Sequence, residues 1–313
     1  MNISELRYIV ALAREKHFGR AASACFVSQP TLSVAVKKLE DELGVALFER
    51  DRHEVHITPA GERVIEQAQQ ALEAIESVRR VAQAESDQLT GPLRIGAIFT
   101  VGPYLFPDLI THLREQAPQM PLLVEENYTA VLGEKLKQGE LDVIIISLPF
   151  DEPNILTLPL YEEPFVILLP AAHPLTARKT LRSRDLEDET ILMLGAGHCF
   201  REQVMEACPA CAPNITEGSS LETIRHMVAS GMGLTVLPCT AAGADRYSQR
   251  LIEIRRFPKP VPSRRIALAW RASFPRPRVI DALGAAVAET QLSCIRSKLS
   301  SRPPRRKVAP KHR

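Results

Sequence analysis

Three cysteines crowd one short stretch of this chain. Gly197-His198-Cys199-Phe200-Arg201-Glu202-Gln203 is followed by Cys208-Pro209-Ala210-Cys211. A thiol does its chemistry as the thiolate, the form that attacks peroxides and binds metals. Cys199 stands at the start of a predicted helix, beside His198 and two residues before Arg201. The positive end of a helix dipole and basic neighbours both lower a thiol's pKa. Oxidation of such a thiolate gives a sulfenic acid, which a second thiol captures as a disulfide. Cys208 and Cys211 are both candidates for that second thiol, and the two could also oxidise each other. His198, Cys199, Cys208 and Cys211 are besides nitrogen and sulfur ligands of the kind zinc accepts, although one CxxC is a weak zinc signal and adjacent His198 and Cys199 make awkward joint ligands. If residues 200–208 are helical, a rise of about 1.5 Å per residue puts Cys199 and Cys208 roughly 13 Å apart. A disulfide needs Cα atoms within about 7 Å, so a bond between them requires this segment to unwind. Cys25, Cys239 and Cys294 lie in apolar stretches and read as core, and His173, next to Pro174, reads as a turn residue.

The elements that must hold these residues follow from periodicity. Leu6, Ile9, Val10 and Ala13 mark one face of a helix over residues 4–16, and Arg20–Phe26 fits a second. Ser28 caps a third helix with Pro30 in its first turn. Leu32, Ala35, Val36 and Leu39 form its buried face, which leaves Thr31, Ser33, Val34 and Lys37 on or beside the opposite one. Ala46–Arg50 and Val55–Thr58 read as short strands around the turn Asp51-Arg52-His53-Glu54. Three helices and a hairpin make a winged helix-turn-helix. Thr58-Pro59 then opens a long helix with apolar residues at Val64, Ala68, Ala71, Ile75, Val78 and Ala82, spaced four and three apart. That heptad seam predicts a coiled-coil partner and hence a dimer. Gly91-Pro92 ends the helix.

Beyond it, strand and helix alternate. Strands are expected at Leu93–Ile98, Leu122–Glu126, Leu141–Ile146, Phe165–Leu169, Leu234–Leu237 and Ile266–Trp270. Helices are expected at Val101–Gln116, Val131–Gln138, Phe200–Cys208, Leu221–Ala229 and Arg278–Cys294. This alternation predicts parallel α/β sheet, in two lobes with a ligand cleft between them.

Composition excludes several classes. The chain has 313 residues and is 45% hydrophobic and 24% charged, which fits a globular multidomain protein and neither a collagenous nor a wholly disordered one. No apolar run reaches the roughly 18 residues of a membrane span, and the first residues lack the pattern of a secretory signal, so no membrane partner is expected and the compartment is read as cytoplasmic. Six irregularly spaced cysteines are no secreted disulfide framework. The net charge of +2 hides an uneven distribution. Residues 296–313 carry eight basic side chains and no acid, reading as a disordered basic tail that could add non-specific affinity for nucleic acid. Residues 1–58 hold eight basic and eight acidic side chains, so DNA binding there must rest on placed contacts. Thr31, Ser33 and Lys37 can reach into the major groove and Val34 can touch a thymine methyl. Arg50 and Arg52 flank the wing turn and can reach phosphate, and the helix N-terminus near Ser28, Gln29 and Pro30 offers backbone donors.

The N-terminal stretch resembles the LysR-type transcriptional regulators. The likeness is carried by Phe18-Gly19-Arg20-Ala21-Ala22, Val27-Ser28-Gln29-Pro30-Thr31-Leu32-Ser33, Lys38-Leu39-Glu40-Asp41-Glu42-Leu43-Gly44, Leu47-Phe48-Glu49-Arg50 and Thr58-Pro59-Ala60-Gly61. The resemblance runs to about residue 295. It implies an α+β multidomain fold: a winged helix-turn-helix DNA-binding domain (1–58), a coiled-coil linker and dimerisation helix (59–90), and a two-lobed α/β effector domain like a periplasmic binding protein (91–295). Lobe I would comprise about 91–164 and 266–295, and lobe II about 165–265. It also implies double-stranded promoter DNA as partner, a homo-oligomer built as a dimer of dimers, contact with RNA polymerase, and no enzymatic turnover.

A narrower resemblance, to the peroxide-sensing members of that family, rests on 197–203 with Cys208, on Thr100-Val101-Gly102-Pro103-Tyr104-Leu105, on Thr129, and on Ser220-Leu221-Glu222-Thr223. It implies hydrogen peroxide as the signal and Cys199 and Cys208 as the redox-active pair. Thr100, Thr129 and His198 would line the peroxide pocket, with no cofactor and no metal. Cys211 departs from that pattern. Two rival readings stand beside this one. The first is a regulator that takes a small organic effector or a metal in the same cleft and uses its cysteines passively. The second is a thiol oxidoreductase built on the CxxC, against which the winged helix counts, as does the lack of a thioredoxin-like pattern around Cys208.

Overall fold

The computed structural model describes residues 1–50, 55–82, 88–209, 214–243, 250–290, 292, 294 and 295. Arg52, Cys211 and the basic tail lie outside the described residues, as does the side chain of Arg50. The chain divides into two compact units. One comprises Met1–Gln88 with the short segments Glu134–Glu140 and Ala272–Pro275, the other the remainder.

In the first unit, α1 (Ile3–Glu15) opens on a capping box. The Asn2 side chain accepts the Glu5 N–H at 3.0 Å, and the Glu5 carboxylate accepts the Asn2 N–H at 2.8 Å. Next, α2 (Phe18–Ala24) begins before the expected Arg20, because His17 Nδ1 accepts the N–H groups of Gly19 and Arg20 and so caps the helix there. It also stops before the expected Phe26, whose φ of 56° no helix accommodates. Ser28 caps α3 (Gln29–Leu43), and Gly44 ends it with φ 71°. Leu32, Val36 and Leu39 are buried against Ile9, Leu12, Ala21, Ala22 and Leu47, while Ala35 is only half-buried. The Glu40 carboxylate accepts the N–H groups of Leu47 and Phe48, which ties α3 to the wing. The wing strands β1 (Phe48–Arg50) and β2 (Val55–Ile57) pair antiparallel.

Thr58 starts α4 (Pro59–Ala82). Its hydroxyl accepts the Gly61 N–H at 2.9 Å and donates to the Ala46 carbonyl at 2.7 Å. Gly61 is needed because a Cβ there would lie 2.2 Å from the Leu47 carbonyl oxygen. The heptad seam divides by burial. Ala68 is buried in the winged-helix core and Val64 packs against it, together with Ile65, which is not a seam position, whereas Val78, further along, is 70% exposed.

The second unit contains β3 (Leu93–Ile98), α5 (Gly102–Gln116), β4 (Leu122–Asn127), α6 (Thr129–Lys137, whose end belongs to the first unit), β5 (Val143–Leu148) and β6 (Ile155–Pro170). These are followed by β7 (Ile191–Leu194), α7 (Cys199–Ala207), β8 (Ile215–Gly218), α8 (Leu221–Ala229), β9 (Thr235–Pro238), α9 (Cys239–Ala242), β10 (Ile252–Arg256), β11 (Ser263–Arg271) and α10 (Pro277–Glu289). The sheet is mixed, not purely parallel. Its order is β10-β6-β11-β5-β3-β4, with β9 also on β6. Strand β3 is parallel to β4 and β5, while β11 runs antiparallel to both β5 and β6. The apolar run read as a strand over Phe165–Leu169 is the second half of a 16-residue strand whose first half pairs with β11 and whose second half pairs with β9 and β10. Pro159, Glu162, Glu163 and Pro164 mask that first half in the sequence. The limits at 164/165 and 265/266 therefore fall inside β6 and β11, so unbroken strands join the two lobes. Strands β7, β8 and β10 were not foreseen; they are four or five residues long and the two latter are half polar. The final helix ends at Glu289 instead of Cys294, because Thr290 takes ψ 138° and turns its hydroxyl to the Val287 carbonyl. Among the described residues no helix is long and apolar enough to cross a membrane.

Candidate thiol site and nucleic-acid interface

On α3 the exposed face carries Gln29, Pro30, Thr31 and Lys37, with Val34 69% exposed and Ser33 half-buried. Ser28 and Thr31 are not free readers. The Ser28 hydroxyl accepts the Thr31 N–H at 3.3 Å and lies 2.7 Å from the Thr31 hydroxyl, so capping already occupies both. Among the described residues no hydrogen bond or ion pair engages the side chains of Gln29, Ser33 and Lys37, and Val34 is exposed beside them. Arg50 pairs through its backbone with Val55 at the end of the wing. Sequence reasoning missed Phe26, which is 96% exposed at the turn between α2 and α3. Its positive φ of 56° holds it out of the core.

The second site gathers at the carboxyl ends of the parallel strands, where open α/β sheets bind ligands. Phe99 and Thr100 follow β3, Tyr128 and Thr129 follow β4, and Ser147 lies near the end of β5. Facing them is the N-terminus of α7. Gly197 takes φ 93°, a conformation that favours glycine, and its bare Cα faces the Tyr128 ring, which an added Cβ would meet at 3.4 Å. His198 packs its ring 4.7 Å from that of Tyr128 and 5.7 Å from that of Phe99. Burial pushes the His198 imidazole below its ordinary range, so at pH 7 it is neutral, with one donor and one acceptor nitrogen.

Cys199 is the first residue of α7, and its half-buried thiol is free. The two cationic neighbours expected from the sequence do not act as expected. His198 is neutral, and the Arg201 guanidinium donates to Glu217 and to the Leu194 carbonyl, each at 2.8 Å.

Thr100 is buried. Its hydroxyl accepts from Arg264 at 2.7 Å and its carbonyl accepts from the same guanidinium at 2.9 Å. With the oxygen already accepting from an arginine, the hydroxyl proton is left to donate. The Thr129 hydroxyl is buried and has no hydrogen-bond partner among the described residues. The same holds for Gln203 Oε1, although Gln203 Nε2 donates to the Ser147 hydroxyl at 2.8 Å. Buried polar atoms of this kind mark where a small polar ligand or a water belongs. Gln203 was named at the sequence level only as part of a motif; its tertiary contact with β5 shows its place.

Arg264 is itself buried and paired with buried Glu163, whose other oxygen accepts from the Thr240 N–H at 3.1 Å and from the Thr240 hydroxyl. The Arg264 guanidinium also lies 5.1 Å over the Phe200 ring. Phe200 and Val204 anchor α7 in the lobe II core.

Cys208 follows the last turn of α7 and is fully buried. It carries a disulfide that does not involve Cys199, whose thiol is free. The alternative in which Cys208 and Cys211 oxidise each other falls on a residue outside the described ones. A second disulfide joins Cys239 and Cys294, so reading these two as passive core thiols is corrected. The two apolar stretches that hold them are distant in sequence and meet only in the folded chain. Among the described residues no group of three His, Cys, Asp or Glu side chains is placed to hold a metal.

The sequence matches two family descriptions. Residues 3–62 match the bacterial regulatory helix-turn-helix protein, lysR family, and residues 86–291 match the LysR substrate binding domain. It is 40% identical over 278 residues to the DNA-binding transcriptional dual regulator OxyR of Escherichia coli K12, covering 88% of this chain and 91% of that one. It is 41% identical over 278 residues to the hydrogen peroxide-inducible genes activator of Dickeya chrysanthemi, covering 88% of this chain and 91% of the other. Among solved structures, a full-length OxyR variant from Pseudomonas aeruginosa superposes with a TM-score of 0.85 at 55% identity, covering 97% of this chain and 99% of that one. A reduced form of OxyR from N. meningitidis gives a TM-score of 0.63 at 43% identity, covering 67% of this chain and 99% of that one.

Proposed function

We propose, for a chain that belongs to the LysR family of bacterial helix-turn-helix regulators, that it activates transcription in response to hydrogen peroxide, sensed at Cys199 and locked in by a disulfide to Cys208. The observation that carries this reading is one helix with a free thiol at its first residue and a buried sulfur just past its last. With α7 intact, its nine residues hold the two roughly 13 Å apart at about 1.5 Å per residue. The relatives named for hydrogen peroxide support the choice of signal.

The chemistry proceeds in two steps. The Cys199 thiolate attacks one peroxide oxygen, the O–O bond breaks, and the sulfur becomes a sulfenic acid while hydroxide leaves and takes up a proton. Thr100 and Thr129 offer hydroxyls, and neutral His198 a donor and an acceptor, to hold the oxidant. The Cys208 thiol then displaces water from the sulfenic acid, forming the S–S bond. Two consequences follow from the geometry. Cys208 must first be released from the disulfide it carries, by exchange with a dithiol that supplies two electrons and two protons and is left as a disulfide. The second step also requires α7 to unwind, pulling Phe200 and Val204 from the lobe II core, which converts a local oxidation into a changed lobe surface.

The same reading assigns α3 to promoter DNA, with Thr31, Ser33, Val34 and Lys37 toward the major groove and Arg50 and Arg52 at the wing. It makes the protein a regulator working in the cytoplasm, where that DNA is, and gives Cys199 stoichiometric rather than turnover chemistry. We read the assembly as a dimer of dimers that meets RNA polymerase at its promoters. The exposed Val78 on the seam of α4 supports a helix partner. Val78→Asp is expected to shift the protein toward monomer in sedimentation velocity; an unchanged species distribution would place the dimer contact elsewhere.

The direct test is peptide mapping. Fully reduced protein is treated with one equivalent of peroxide, alkylated and digested. The expected product is a Cys199–Cys208 linked peptide. A Cys199–Cys211 link would reassign the resolving residue, and an untouched Cys199 thiol would leave a regulator of some other signal.

A further inference from the structure

The two lobes are crossed by β6 and β11, and near that crossing lies a covalent link outside the site described above. Cys239 is the buried first residue of α9, and Cys294 lies partly buried beyond α10. Their Cα atoms are 6.0 Å apart and their sulfurs are bonded, across 55 residues of sequence. Both sulfurs lie against the lobe II core, but Cys294 is reached through a helix held to lobe I. Helix α10 is held to α5 of lobe I, where Gln116 donates to Glu289 at 3.1 Å and His112 lies 3.6 Å from the same carboxylate. The chain then leaves that helix, and Cys294 and Ile295 pack against the lobe II core. The residue after Cys239 is Thr240, which donates twice to Glu163, and Glu163 holds the Arg264 that holds Thr100.

We infer that Cys239 and Cys294 form a second redox site: a reversible disulfide strap between the lobes, closed by peroxide independently of Cys199 and opened by dithiols. Closing removes two protons and two electrons from the two thiols, and hydrogen peroxide accepts them to give two molecules of water. Opening proceeds by thiol–disulfide exchange. A dithiol supplies the two electrons and protons and is itself left as a disulfide. Cys294, the more exposed of the two among the described residues, is the sulfur such a reagent reaches first. The disulfide pins the end of the chain segment that follows α10 to the lobe II core, so any turning of lobe II against lobe I must carry that segment with it. When closed, it resists the lobe rearrangement that unwinding of α7 demands. The strap's own chemistry stands without the sensing reading, whereas its effect on the DNA response rests on that reading.

The experiment uses the full chain in three forms: wild type, Cys199→Ser, and the double variant Cys239→Ser with Cys294→Ser. Each is reduced with dithiothreitol under native conditions, exposed to graded peroxide, alkylated and mapped, with amide hydrogen exchange followed in parallel. The linked Cys239–Cys294 peptide is expected to vanish on reduction and to return with peroxide in both wild type and Cys199→Ser. Exchange over residues 239–242 is expected to rise about tenfold or more when the strap opens. The double variant is expected to switch its promoter footprint at a peroxide concentration lowered by about threefold. Failure of the link to re-form in native protein, or equal exchange with the strap open and closed, overturns the proposal; reduced wild type supplies this comparison even if the double variant folds poorly. A link that re-forms while the wild-type footprint ignores peroxide sinks the sensing reading and leaves the strap standing.

Discussion

Cys199→Ser is expected to abolish the peroxide-dependent change in promoter footprint while leaving DNA affinity within about a factor of two of wild type. The affinity half of that expectation follows from the architecture. Cys199 lies in the effector domain, the proposed reading residues lie on α3 and the wing, and a half-buried Cys-to-Ser exchange at a helix N-terminus falls among substitutions worth about 0.5 kcal/mol or less. The loss of response follows from chemistry. A serine hydroxyl is no nucleophile toward peroxide at neutral pH, so no sulfenic acid forms and Cys208 has nothing to capture. Helix α7 then stays wound, with Phe200 and Val204 buried, at any peroxide concentration that leaves the rest of the chain intact. Footprinting with and without peroxide decides the matter: a variant that still shifts its protected region would move the sensor off Cys199.

The second large effect is on stability. Glu163 and Arg264 are both almost completely buried and bonded to each other at 2.9 Å. Removing one partner of such a pair strands the other's charge in a low-dielectric interior, which destabilises by about 3–5 kcal/mol. Glu163→Gln should therefore lower the thermal midpoint of the effector domain by about 6–20 °C, at about 2–4 °C per kcal/mol for a domain of this size. It should also weaken the hold on Thr100, because Arg264 is then positioned by one anchor fewer. Adding Arg264→Met removes the stranded charge, and the double variant should recover a good part of the loss, since apolar replacements of buried pairs are often neutral. Calorimetry on both variants reads the result. A midpoint within about 2 °C of wild type for the single change would mean that water reaches the pair in solution.

Much of the DNA-binding half is legible in the sequence, because it is built from local rules. Ser28 before Pro30 marks the start of α3, Gly44 its end, and Thr58-Pro59 the start of α4, and each of these caps stands as expected. The apolar face at Leu32, Val36 and Leu39 is equally local. The misplaced start of α2 has a tertiary-independent cause of a less common kind, a histidine acting as cap. The effector half was less legible. Strand β6 carries charges and prolines through its first half because it serves as the crossing between lobes, and Glu163 within it finds its compensating charge on β11, 101 residues away. No window of sequence displays that pairing.

Taken alone, the order of residues determined that a thiol would open a helix and that a second sulfur would follow at its far end, since capping and helical rise depend only on near neighbours. It also determined where α3 begins and ends, for the same reason. Only the folded chain decided which charges act on that thiol: Arg201 is engaged by Glu217 and His198 is kept neutral by aromatic burial, whereas adjacency alone had made both look activating. Tertiary structure likewise decided that Arg264 would grip Thr100, that Gln203 would meet Ser147, and that Cys239 would find Cys294. Local signals have a reach of a few residues, and a charge, an orphaned oxygen or a sulfur buried in the core takes its meaning from whatever the fold brings against it.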